Sequence, residues 1–389
     1  MSCDWFVRPR LPFSAQSGAV MTVSEGRRVP AAVIDVGWVN GLAAIRSLGR
    51  AGIRVLAVDH RPSALGFRSR YAESFVCPDP HTDEERFIAF IRGLGRVVVF
   101  PTHDEALNAL ARHLHELDVL APFPTWDVLE QVQSKRAQLE HAISAGVDVP
   151  DTRYPASAAE ARAAAQELGV PVLVKPERPI GFKQRFRRQA FRCETLAEVE
   201  TAYAQAEEFG PMLQELIPGG DGTLFTVGSY LSRDGRPLGV FSGRKLRQTP
   251  RGIGTCRVGE AVWVQDAVDA ALALLRELGY FGLSQVEFKR DTRDGRFKLM
   301  EINPRLWQWH GLASACGVDL PRIAYTDLTG ATATATAEVN GGGKRWAITL
   351  LAGESPALQR PPYVDAVFAR DDPKPGLVHL ARVARHALP

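Results

Sequence analysis

Residues 284–305 carry the pattern that most restricts the fold. They read Ser-Gln-Val-Glu-Phe-Lys-Arg-Asp-Thr-Arg-Asp-Gly-Arg-Phe-Lys-Leu-Met-Glu-Ile-Asn-Pro-Arg. Two strand-like runs flank a turn that ends in glycine. A three-residue loop over Arg293, Asp294 and Gly295 puts the glycine where φ must be positive. The resulting pairing sets Gln285 opposite Asn303, Val286 opposite Ile302, Glu287 opposite Glu301 and Phe288 opposite Met300. One face is then polar and the other apolar. A slip of one residue would press Glu287 against Ile302, and burying a carboxylate there is costly, so the pattern itself selects the register. Two carboxylates and an amide oxygen on one face repel unless a cation lies between them. Oxygen donors of this kind suit Mg²⁺ or Mn²⁺, above all where phosphates complete the shell. Glu287, Glu301 and Asn303 are therefore candidate metal ligands.

The rest of the chain divides around this hairpin. Residues 29–122 alternate buried strands (Ala31–Ile34, Arg54–Val58, Val97–Phe100) with helical patterns (Leu42–Leu48, Phe87–Ile91, Asp104–Leu117). Such β-α-β alternation predicts a doubly wound parallel sheet with right-handed crossovers. Residues 123–212 begin with a helix expected over Trp126–Ala145, stopped by Gly146 and Pro150. A helix over Ala158–Leu168 and a buried strand at Val172–Val174 follow. In 213–330, Arg233-Asp-Gly-Arg236 joins two strand patterns as a hairpin, and Val262–Leu278 reads as a helix. The Ala-Thr and Gly-rich run 331–343 reads as a linker, and 344–389 as a small appendage with a strand at Trp346–Leu351. Residues 1–28 read as a loose extension, with Met21 as a second plausible start. The expected fold is thus α/β and α+β, with an N-terminal parallel-sheet domain followed by two further subdomains.

Composition excludes several classes. Hydrophobic residues make up 45% and charged residues 23%, enough apolar material for real cores. A net charge of +3 gives no electrostatic footprint for nucleic acid or a membrane surface. The five scattered cysteines make no C-x-x-C pair, which suits a reducing cytoplasm and not a disulfide framework.

Lysines supply a second signal. Lys175 ends the strand Val172–Val174, a position suited to holding a phosphate as a point charge, and Lys135 lies in the helical run Gln133-Ser-Lys-Arg-Ala. Lys135, Lys175-Pro176, Gln214-Glu-Leu-Ile-Pro-Gly219, Glu287 and Glu301-Ile-Asn-Pro-Arg305 occur in the order and spacing of ATP-grasp ligases. Asn40–Gly52, Arg244–Gln248 and Asp371-Asp-Pro373 resemble the carboxylate–amine ligase branch.

The resemblance implies a two-subdomain ATP-grasp fold behind the parallel-sheet domain, with ATP between the subdomains and Mg²⁺ or Mn²⁺ as cofactor. Gln214 and the backbone of Glu215 and Ile217 would read adenine, Asp221 the ribose, and Lys135 and Lys175 the phosphates. Glu287, Glu301 and Asn303 would bind the metal, and Arg305 would stabilise the transferring phosphoryl group. Lys245, Arg247 and Arg251 are candidates for gripping a carboxylate or the γ-phosphate. Trp307, Trp309 and His310 would face an acceptor pocket, and Asp104 or Glu105 would hold a substrate ammonium. The implied reaction joins a small-molecule carboxylate to an amine through an acyl phosphate, releasing ADP and phosphate, with an amino acid expected as one substrate. A second copy of the chain is an allowed partner, whereas nucleic acid and membrane are not expected.

Two features depart from, or compete with, this reading. Where the family carries a Gly- and Ser-rich flap, this chain has Glu177–Arg188, rich in arginine and expected as a basic edge strand with Phe182, Phe186 and Phe191 packed inward. Asp35-Val-Gly37-Trp-Val-Asn40 and Asp59 mimic a dinucleotide fingerprint, but only one of its three glycines is present. A carboxylase would follow the arginine with a basic glutamate in Gln-Val-Glu-His, where this chain reads Trp307-Gln-Trp-His310. A non-catalytic ATP-binding protein is the remaining alternative.

Overall fold

The computed structural model describes residues 29–177, 179–252, 254–331, 336–337, 343–348 and 363–387. The expected extension 1–28 and most of the expected linker lie outside the described residues. Strands β1 (Ala31–Ile34), β2 (Val55–Asp59), β3 (Ala72–Val76), β4 (Val97–Pro101) and β5 (Val119–Leu120) form a parallel sheet in the order β3-β2-β1-β4-β5. β1, β2 and β4 are buried throughout because helices cover both faces, which explains their continuous Val, Ile and Ala runs. Strand order reverses at β1, so a crevice opens at the carboxyl ends of β1 and β4. β3 escapes sequence pattern because it is a half-exposed edge strand, Ala-Glu-Ser-Phe-Val.

The helix expected over Trp126–Ala145 is two helices, Trp126–Gln133 and Lys135–Ser144. Ser134 separates them and caps the second, its Oγ accepting from the Ala137 N–H at 3.2 Å. Lys135 consequently sits in a first helical turn.

Strands β6 (Thr152–Arg153), β7 (Val172–Pro176), β8 (Phe191–Cys193) and β9 (Pro211–Glu215) make a small antiparallel sheet, backed by helices Ala158–Leu168 and Leu196–Ala206. Between β7 and β8 the expected edge strand is instead a helix, Pro179–Phe186. Its Phe182 and Phe186 lie one turn apart, with ring centroids 4.8 Å from each other, and both pack against Phe191 and Phe209. That aromatic cluster stabilises the helix and leaves Lys183, Arg185, Arg187 and Arg188 exposed.

The large sheet contains β10 (Leu224–Leu231), β11 (Pro237–Thr249), β12 (Thr255–Ala261), β13 (Gly282–Arg290) and β14 (Phe297–Asn303) in the antiparallel order β14-β13-β10-β11-β12. Helix Gln265–Glu277 packs beneath it. The critical pairs Gln285–Asn303, Val286–Ile302 and Glu287–Glu301 form as expected, but Phe288 pairs with Leu299 and not Met300. The turn is one residue longer than expected, closed by the Asp291 N–H to Arg296 oxygen at 2.8 Å. A bulge beyond Glu287 absorbs that extra residue and restores the register at the polar face.

The C-terminal segment is built into the body of the molecule. β15 (Thr336–Ala337) pairs with β11, β16 (Arg345–Ala347) extends the sheet beside β12, and β17 (Tyr363–Asp365) pairs with β16. Residue Asp372, wholly buried, then closes back onto the N-terminal sheet domain through Arg46 and Ser69. Among the described residues, no helix is long and apolar enough to cross a membrane.

Candidate active site

The polar face of the β13–β14 hairpin looks across a cleft toward β7 and the start of helix Lys135–Ser144. Glu287 is buried, and its carboxylate accepts from the Gln285 amide at 2.8 Å and the Thr226 hydroxyl at 3.3 Å. Lys245, equally buried on β11, lies 2.8 Å from the same carboxylate. Burial alone would lower the Lys245 pKa, but Glu287 outweighs it and raises it. Opposite, Glu301 accepts from the Asn303 amide at 3.1 Å, with the Lys135 ammonium 3.8 Å away. Burial would raise the Glu301 carboxyl, but Lys135, the Asn303 bond, Lys245 and Lys175 together hold it below its usual range.

Lys175 completes the cluster. Its Nζ donates to the Gln214 Oε1 at 3.0 Å, and Gln214 in turn donates to the Thr152 hydroxyl. Burial, then repulsion from Lys135, pushes Lys175 down to about 7, with Glu301 opposing. The structure therefore brings Lys135, Lys175, Gln214, Lys245, Glu287, Glu301 and Asn303 into one cleft. Two carboxylates and an amide on facing strands fit a divalent cation with phosphate co-ligands, and the lysines balance their charge here. No group of three His, Cys, Asp or Glu side chains among the described residues forms a metal cage by itself.

Arg305 continues the site toward the parallel sheet. It forms a fork with Asp104, at 2.5 and 3.0 Å, across the boundary between the two sheets. Burial would raise the Asp104 carboxyl and lower the Arg305 guanidinium, and the pair reverses both. Asp104 is thus occupied by the arginine, which removes it as a direct ammonium ligand. Glu105 remains beside it in the first turn of helix Asp104–Arg112.

Other expected residues take different places. Trp307 and Trp309 are core, 2% and 1% exposed, and do not line an acceptor pocket. They sit against Gly228, Gly243 and Gly259: an added Cβ at Gly228 would come within 1.9 Å of Trp307, and one at Gly259 within 2.6 Å of Trp309. His310 is also fully buried, and since a carbonyl can only accept, its Nε2 carries the proton given to the Asn40 oxygen at 3.0 Å. Burial pushes its pKa down to about 4, so it stays neutral. Gly228→Ala should lower stability by about 1–3 kcal/mol, measured by denaturant titration, because the Trp307 ring has packed neighbours on its other sides.

Asp221 accepts from the Gln248 and Gly252 N–H groups and the Gln248 amide, so it anchors the end of β11 and its carboxylate is already engaged. The Glu215 N–H is bonded to the Asp151 oxygen, and its carboxylate to Arg293 and Lys298. Ile217 is buried at the end of the β9 segment. Arg247 is half-buried on β11, and Arg251 is exposed in the turn after it. Sequence alone assigns Lys245 to a carboxylate or the γ-phosphate; its role as the counter-ion of Glu287 depends on β10 pairing with both β11 and β13, which no local spacing reveals.

The family described as "Carbamoyl-phosphate synthase L chain, ATP binding domain" matches residues 263–330. The carbamoyl phosphate synthase large chain of Thermus thermophilus is 27% identical over 306 residues, 73% of this chain and 29% of that protein. The D-aspartate ligase of Enterococcus faecium is 27% identical over 166 residues, 40% of this chain and 39% of the ligase. This chain therefore spans well under half of either relative. Among solved structures, a Campylobacter jejuni biotin carboxylase complex superposes with a TM-score of 0.63 at 19% identity, covering 78% of this chain and 72% of that one. N5-carboxyaminoimidazole ribonucleotide synthetase from Thermus thermophilus gives 0.62 at 18%, covering 79% and 80%. At these identities the likeness shows the fold.

Proposed function

We propose that the chain is an ATP-grasp ligase, ADP-forming, that joins a carboxylate to an amine. The observation that carries this reading is the convergence of Lys135, Lys175, Glu287, Glu301, Asn303 and Arg305 on one cleft. Lys135 and Lys175 hold ATP phosphates, and Gln214 fixes Lys175 in place. Glu287, Glu301 and Asn303 would hold Mg²⁺ or Mn²⁺, which would neutralise phosphate charge. A substrate carboxylate oxygen attacks the γ-phosphorus, the bond to the β–γ bridging oxygen breaks, and ADP leaves. Arg305 offsets the negative charge on the transferring group. The amine then attacks the acyl carbon, phosphate departs with the bonding pair, and the amine loses a proton. Buried Trp309 occupies the position where a carboxylase of this fold would place a basic glutamate, so an amine acceptor is favoured over a bicarbonate-activating reaction.

Product analysis tests the reading. Incubation with Mg·ATP and pairs of carboxylates and amines should give ADP and phosphate in equal amounts. AMP and pyrophosphate would indicate adenylation, and ATP binding without any product would indicate a non-catalytic protein.

The depressed Lys175 pKa gives a further expectation. The ammonium must be charged to hold phosphate, and it is pushed to about 7 in the free protein. ATP affinity should therefore fall as pH rises above 7, by up to about tenfold per pH unit. Calorimetry from pH 6.5 to 9 measures this, and Lys175→Arg, always charged, should flatten the slope.

A further inference from the structure

Acidic groups crowd the carboxyl ends of the parallel strands, beside Arg305 but outside the phosphate cleft. Asp35 follows β1, Asp59 ends β2, and Glu105 opens helix Asp104–Arg112. Asp59 is already answered, accepting from the Arg61 N–H at 2.8 Å and its guanidinium at 3.0 Å. Asp35 is different. It is 6% exposed, and its Oδ2 has no hydrogen-bond partner. Asn40, 4% exposed in the first turn of the helix Val39–Arg50 that follows, gives its amide N–H to the Thr102 oxygen at 2.9 Å and leaves Oδ1 equally unpartnered. Buried polar atoms nearly always find a partner, so two orphaned acceptors at one topological switch point mark a place that lacks a donor.

The chemistry of that donor follows from the surroundings. Asp59, Glu105 and Asp79 add negative potential at Asp35, opposed by Arg61, and with burial as the leading cause they push its pKa up to about 7. A positively charged donor would relieve that excess of negative potential. A primary ammonium brings one charge and three N–H donors. Position adds the rest: Glu105 follows Asp104, whose carboxylate holds Arg305 at 2.5 and 3.0 Å, so the acidic crevice adjoins the reacting end of the site. Gln184 of the basic helix touches His81 at 3.1 Å.

We propose that Asp35, with Asn40 Oδ1 and Glu105, binds the ammonium of the carboxylate substrate, which is thus an amino acid whose carboxylate reaches Arg305. This rests on the ligase reading above, and a binding experiment separates the two. The full-length protein with Mg·ADP would be titrated by calorimetry at pH 8. The probes are the twenty common amino acids, D-alanine, D-aspartate and β-alanine, against acetate, propionate and succinate. At least one amino acid should bind roughly 10- to 100-fold more tightly than its des-amino counterpart. Asp35→Asn should erase that preference. Asparagine keeps the shape and tolerates the left-handed backbone found there, φ 64°. Losing a buried charge, the variant should melt at or above the wild-type temperature at pH 8. Glu105→Gln, on the open side of the pocket, should weaken the same preference if the first variant fails to fold. The proposal is overturned if no amino acid binds, if des-amino counterparts bind equally, or if the preference survives in both variants. Amino-acid binding without ADP formation in the product assay would keep this pocket and remove the ligase reading; ADP formed only with des-amino acids would do the reverse.

Discussion

Glu301→Gln should reduce turnover by roughly 10²- to 10³-fold, the scale of losing one fixed electrostatic stabiliser at a reacting phosphoryl group. The variant keeps the size and the strand position of Glu301, so the fold should persist. It removes one of the two carboxylates, with Asn303 as third donor, that would hold the divalent ion. Stability should change in a pH-dependent way. Lys135, the Asn303 bond, Lys245 and Lys175 overcome burial and hold the Glu301 pKa below its ordinary 4.5. A depressed carboxyl contributes stability above its unfolded value and loses it as pH falls through the folded value. Wild type should therefore melt above the variant at pH 7, and the gap should close in acid below the ordinary carboxylate range. Melting curves across pH 3–7 check this. A gap that persists in acid would mean that Glu301 supports the hairpin by shape and not by charge.

Arg46→Met should cost about 3–5 kcal/mol of stability, because it strands a buried carboxylate. Asp372 is wholly buried and takes Arg46 Nε at 2.9 Å, the Ser69 hydroxyl at 2.8 Å and the Arg70 N–H at 2.9 Å. Arg46 also donates to the carbonyls of Val367 and Asp372, so it fastens both ends of the C-terminal turn to helix Val39–Arg50. Burial tends to lower the Arg46 pKa, and the Asp372 bond only partly offsets that. Substituting both partners, Arg46→Met with Asp372→Leu, should recover much of the loss, since no charge is then left unpaired. Denaturant unfolding of the three proteins measures the coupling. Nearby Arg50 and Asp371 form a second pair that is more than two-fifths exposed on both sides, and removing it should cost little.

What could be read from sequence follows what each residue depends on. The facing of Glu287 and Glu301 was legible because polar and apolar residues alternate and only one register keeps carboxylates off the apolar face. The turn length was not, and the bulge beyond Glu287 compensated for it. Buried parallel strands announced themselves by composition, whereas edge strand β3 did not. The segment 179–186 reads as an edge strand by charge, and the tertiary contact of Phe182 with Phe209 favours a helix instead. Trp307 and Trp309 follow a catalytic-looking arginine, yet they point into the sheet, where glycines from three different strands make room for them. Such a fit is assembled from distant parts of the chain and leaves no local signal.

The seating of those two tryptophans bears on how a protein of this kind can diversify. Gly228 and Gly259 admit no side chain while the rings are present, and at Gly243 the Glu260 carbonyl also stands within 2.8 Å of where a Cβ would be. A side chain at Gly228 or Gly259 is blocked unless a ring shrinks in the same step, and at Gly243 the backbone carbonyl blocks it even then. The floor beside Arg305 is therefore frozen against gradual change. Selection for new substrates, in nature or in a directed library, has freedom instead along the acidic crevice and the arginine-rich helix, whose outward residues can vary without disturbing the layer beneath.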